Sequence, residues 1–175
     1  MPELSTPSAV LPIARGALRV LIVANWLMGA AIFVLLVAMP TSRWIMSALK
    51  LSPSAETDGV ITGLRAIAAI GLAAVPLYHV ILRRLLAIVD TVRAGDPFFA
   101  ANAPRLQAIA WALLVLQLFG LAIGAIVSAI STPAHPIDID AGFSINGWLA
   151  VLLTFLLARV FAEGTHMRED LEGTV

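Results

Sequence analysis

The chain has 175 residues, of which 60% are hydrophobic and 13% charged, with a mean hydropathy of +0.95. A soluble domain is roughly 45–50% apolar and about 25% charged, so this composition points to lipid as the solvent. Eleven basic residues against eleven acidic ones give no sign of a surface for direct nucleic-acid binding, and zero cysteines exclude disulfides and thiolate metal sites.

Each bilayer crossing needs roughly 20 predominantly apolar residues. Four stretches qualify: Ala17–Met39, Val60–Leu82, Leu106–Ile130 and Phe143–Phe161. They predict an all-α polytopic membrane protein, with four transmembrane helices in an up-down bundle forming one domain over residues 1–175. Met1–Leu11 is polar, proline-containing and slightly acidic, and residues 1–14 are expected to form a disordered cytoplasmic tail. The first helix is expected over about residues 17–39. Arg15 and Arg19 precede it as a positive flank precedes a signal sequence, but the apolar run exceeds a signal's usual length, and Pro40 occupies the place of a cleavage site. An uncleaved helix follows. Asn25, in its inner third, is expected to make a helix–helix hydrogen bond.

Between the first two helices, Thr41 or Ser42 can cap a short segment through Trp44 and Leu49, with Trp44 as an interfacial anchor. The second helix is expected over about residues 60–93. Arg65 is the one charge clearly inside an apolar run. It either snorkels to the surface or pairs with Asp58, Asp138 or Asp140, or it forms a polar site within the membrane. Pro76 leaves one carbonyl without its donor and should kink or loosen the helix. Past Leu82 the helix should continue out of the membrane, because Leu85, Leu86, Val89 and Val92 keep a helical stripe while Arg83, Asp90 and Arg93 lie largely off it.

Gly95 is a natural helix stop, Asp96-Pro97 makes a turn, and Phe98-Phe99 should press into the interface or a neighbouring helix. Asn102 is expected to cap the third helix, about residues 104–130, with Pro104 tolerated in its first turn. Gly120, Gly124 and Ser128 form a small-residue stripe that lets a second backbone approach, within or between subunits, and Gln117 is expected to act as interhelical glue. The fourth helix, about residues 143–171, carries a second stripe at Ala150, Thr154, Ala158 and Ala162. Arg159 and Glu163 stand one turn apart near its inner boundary and can pair.

Eight arginines (Arg15, Arg19, Arg83, Arg84, Arg93, Arg105, Arg159 and Arg168) flank one set of helix ends, against Arg43 and Lys50 at the other. The positive-inside rule then places both termini and the middle loop in the cytosol. Arginine outnumbering lysine ten to one, with abundant alanine, points to a GC-rich bacterial genome and so to the inner membrane. His79, His135 and His166 are too scattered to hold haem or zinc, and no nucleophile triad, phosphate loop or mid-membrane acid occurs. No cofactor and no enzymatic activity are expected.

Two segments, GDPFFAANAPRLQAIAW and ARVFAEGTHMREDLEGTV, resemble the domain-of-unknown-function 2975 family of small bacterial four-helix membrane proteins. The matching positions are Gly95, Pro97, Phe98, Asn102, Arg105 and Leu106, then Phe161, Gly164, Arg168, Glu169, Thr174 and Val175. Leu171-Glu172-Gly173 departs from that family's more acidic run before its Thr-Val ending. Members are often encoded beside a small Cro-like helix-turn-helix regulator, so the resemblance implies a membrane partner of a transcription factor.

Together these readings give two expectations. In the first, the chain is a regulatory or sensory membrane protein. Its loop residues Arg83, Arg84, Arg93, Gly95, Phe98, Asn102 and Arg105, with Glu163, Gly164, Arg168 and Glu169 of the carboxyl end, bind a cytosolic helix-turn-helix regulator. In the second, several copies assemble into a small-solute channel or transporter with Asn25, Arg65 and Gln117 lining its path.

Overall fold

The computed structural model describes residues 10–38, 55–96, 99–131 and 142–172, and these residues are helical apart from short connections. Four helices follow in order: α1 (Val10–Ala38), α2 (Ala55–Arg93), α3 (Asn102–Ile130) and α4 (Ile145–Glu172). All four are long and apolar enough to cross a membrane. At 39 residues, α2 reaches about 58 Å, well beyond the hydrocarbon core, so its last turns form the extension expected past Arg83.

The first helix starts at Val10, so residues 10–14 belong to a helix and not to a tail; Pro12 is tolerated there because a first turn has no donor to lose. Residues 1–9, the loop with Arg43, Trp44 and Lys50, and the loop with His135, Asp138 and Asp140 lie outside the described residues, as do Pro97 and Phe98. The second helix starts at Ala55, earlier than residue 60, because AETDG extends it with polar residues that hydropathy does not count. It runs unbroken through Pro76. Gly95, at φ +86°, ends it: Gly95 N donates to Val92 O and Asp96 N to Thr91 O, both at 3.1 Å. This paired closure needs a left-handed residue, which glycine supplies at little cost.

Paired residues run in opposite directions along each seam. Arg15 meets Asp90, and Trp26 meets His79. Arg105 meets Ala87, while Gly63 lies against Ile130. Trp111 meets Phe155, and Gln117 meets Gly147. Neighbouring helices are therefore antiparallel. Among the described residues, however, backbones approach only between sequence neighbours: α1 with α2, α2 with α3, α3 with α4. The expected bundle would bring α4 back against α1. The arrangement is instead an open series, which leaves large apolar side chains such as Leu27 (66% exposed), Phe33 (54%) and Leu152 (64%) uncovered. An uncovered surface of that kind suits contact with lipid chains, which ask for no further burial.

Small residues set the seams. Gly29 of α1 sits against Val75, and Gly63 of α2 against Ile130 and Ile126. Gly120 and Gly124 face the backbone of Gly142 as the chain enters α4, so this part of the stripe works within one subunit. Ser128 is exposed and bonds its own helix at Ala125 O, so it is not part of that contact. On α4 the packed positions are Gly147, Val151 and Ala158, whereas Ala150 is exposed. The main apolar cluster, Ile81, Leu106, Ile109, Ala112 and Ala158, runs from the α2–α3 seam to the α3–α4 seam, beside the arginine-rich end.

Candidate functional site

The antiparallel register brings the arginines together. Arg15 lies level with Asp90, Arg105 with Ala87, and Arg168 reaches Asp96 in the turn beyond α2. Arg83, Arg84 and Arg93 stand on the same turns of α2, and all three are exposed. Trp26, Tyr78 and Trp111 are each half exposed and share a level one or two turns inward, with Trp26 Nε1 donating to His79 Nδ1 at 3.1 Å. Amphipathic rings at one depth, followed by arginines, have the layout of a membrane–water boundary.

Asn102 holds the middle loop to α2. It is completely buried, and its Nδ2 donates to Thr91 Oγ1 at 2.9 Å while the Thr91 hydroxyl donates to Ile88 O at 2.7 Å. Arg105 Nη1 donates to Asn102 Oδ1 at 2.9 Å and to Ala87 O at 3.2 Å, and its guanidinium lies 5.8 Å from the Phe99 ring centre. The expectation that Asn102 caps α3 is corrected. Ala101 occupies the cap position, in helical backbone and without a side-chain cap bond, because the Asn102 side chain is turned inward onto Thr91. Pro104 does fall in the first turn, as expected.

The carboxyl end joins this loop. Arg168 Nη1 bonds Asp96 Oδ1 at 2.6 Å across 72 positions of sequence. Glu163 is exposed and Gly164 half-buried on the same length of α4, and Glu169 lies in its final turns. Among the described residues no ion pair joins Arg159 to Glu163; both are exposed, where such a pair contributes little. Arg15 Nε instead lies 3.1 Å from Asp90 Oδ1 and ties α1 to the end of α2. Neither this link nor that of Arg168 was legible locally, since each joins positions more than seventy residues apart.

A cleft of about 500 Å³ opens between α2 and the first turn of α3. His79, Val80, Arg83, Arg84, Leu86, Ala87, Asp90 and Arg105 line it. Among the described residues no group of three or more His, Asp or Glu side chains gathers at metal-binding range.

The polar residues expected within the membrane do not converge. Asn25 Nδ2 donates to Val75 O at 3.1 Å on the α1–α2 seam, the helix–helix bond anticipated for it. Gln117 lies on the α3–α4 seam, where its carboxamide fills the space over Gly147. Arg65 is half-buried on α2, toward the opposite end from the cleft.

No curated protein and no solved structure matches the chain. A family described as "Protein of unknown function (DUF2975)" matches residues 39–175, starting one residue after α1 ends. With α2, α3, α4, the buried Asn102 and the Asp96–Arg168 link all inside the match, the chain belongs to that family.

Proposed function

We propose that this is a multi-pass protein of the bacterial cytoplasmic membrane, with both termini in the cytosol. The middle loop and the end of α4 present one surface to a cytosolic helix-turn-helix transcription regulator. The observation that carries the reading is the contact of Arg168 with Asp96. It makes one continuous face from two segments that a membrane protein could equally have kept apart. Such a half-exposed ion pair is worth only about 0–1 kcal/mol, so it positions the two segments without contributing much to stability. Beneath the surface, the Asn102 network ties the first turn of α3 to the last turns of α2, which lowers the ordering cost of binding. Arg93 and Glu163 are exposed beside it and supply charges of both signs for a partner.

The test is co-purification of the full chain with a small Cro-like helix-turn-helix regulator. Recovery is expected with the intact chain and should fall at least several-fold on deletion after Gly164 or in Arg93→Ala. Equal recovery from the intact chain and from both variants would overturn the docking surface.

A further inference from the structure

The cleft between α2 and α3 is cationic, and it lies at the depth where the helix surface passes from apolar to charged. Arg83, Arg84 and Arg105 contribute three guanidinium groups against one carboxylate, Asp90, which Arg15 already holds at 3.1 Å. Arg105 spends hydrogen bonds on Ala87 O and on Asn102 Oδ1, but neither acceptor carries a negative charge, so its positive charge remains. Arg83 and Arg84 are exposed, and among the described residues neither is joined to a carboxylate. Trp26 occupies Nδ1 of His79, which leaves the neutral ring with its hydrogen on Nε2, a donor in the same wall. Val80 and Leu86 make the cleft's apolar flank.

We infer that this cleft seats the phosphate of an anionic phospholipid, with Arg83 and Arg84 as its principal ligands. A guanidinium fork matches two phosphate oxygens at once, and charge complementarity is supplied by the surplus of arginine. The volume suits a phosphate with its glycerol substituent. Depth favours a lipid over a free anion. Half-exposed Trp26, Tyr78 and Trp111 mark the boundary just inward of Arg83, and large exposed apolar side chains such as Leu27 and Phe33 continue below it along α1, where acyl chains would lie. The inference rests on the membrane placement proposed above but not on the regulator.

The full chain is reconstituted in nanodiscs of phosphatidylcholine with a minor share of phosphatidylglycerol, and lipids retained after gentle extraction are counted by native mass spectrometry. Phosphatidylglycerol should be retained over phosphatidylcholine, with retention weakening as salt rises. Arg83→Gln and Arg84→Gln should each weaken retention about five-fold. Arg159→Gln removes the same charge from α4 outside the cleft, and it should leave retention unchanged. Equal retention of the two lipids by the unaltered chain would overturn the proposal without recourse to any variant. So would an Arg159→Gln loss as large as that of Arg83→Gln, since the charge effect would then be diffuse. Inorganic phosphate that binds and displaces no lipid would replace the phospholipid with a free anion. A chain that stays in solution and never enters the nanodisc would instead sink the membrane reading, and this one with it.

Discussion

Asn102 joins three things at once: it is fully buried, it accepts from Arg105, and it donates to Thr91 eleven residues earlier. An asparagine ahead of an apolar helix has the local signature of a cap, and nothing nearby in sequence announces that Thr91 will draw it inward. Gly95 was legible for the opposite reason, because a helix stop depends only on the residues beside it. Removing the Asn102 amide leaves a threonine hydroxyl and an arginine donor short of a partner. Asn102→Ala should cost about 1–3 kcal/mol, and Thr91→Val about 1 kcal/mol. Thermal unfolding of the purified chain in detergent measures both. An unchanged midpoint in Asn102→Ala would show that the network does not hold the loop.

Among the helices, hydropathy located all four, since each run of apolar residues matches a membrane's thickness. Both α1 and α2 start earlier than hydropathy predicts: residues 10–16, which hold Pro12 and Arg15, open α1, and the polar run AETDG opens α2. Packing order was beyond reach, as a closed bundle and an open series share the same hydropathy pattern. Seam spacing is decided by single positions such as Gly63, where an added Cβ would stand 2.7 Å from Ile130 Cγ2. A side chain there gains up to about 1 kcal/mol of helix propensity over glycine, but the overlap forces α2 and α3 apart. Gly63→Val is therefore expected to destabilise by about 1–3 kcal/mol, with partial recovery in Gly63→Val/Ile130→Ala. Full stability in the single variant, read by the same thermal assay, would mean the two helices are not in close contact at that point.

Over the whole molecule, the candidate surface was half legible. Charge asymmetry put the eight arginines on one side, and the helix register gathers them at one end. Which arginine meets which acid was not readable, because the pairs span distant segments. Lysine and arginine excess on one set of short loops favours the cytosol for that end. A fluorescent protein fused after Val175 should thus be bright, and alkaline phosphatase fused there inactive. Phosphatase activity at that position would reverse the orientation.

Because each backbone seam among the described residues joins helices consecutive in the chain, no helix has to wait for a distant one during synthesis. A new hairpin can settle on its predecessor as it leaves the insertion machinery. The last link to form is the latch between Arg168 and Asp96, which needs the final turns of α4. A nascent or truncated protein therefore lacks half of the face proposed above, and the two segments meet only once the end of α4 is made.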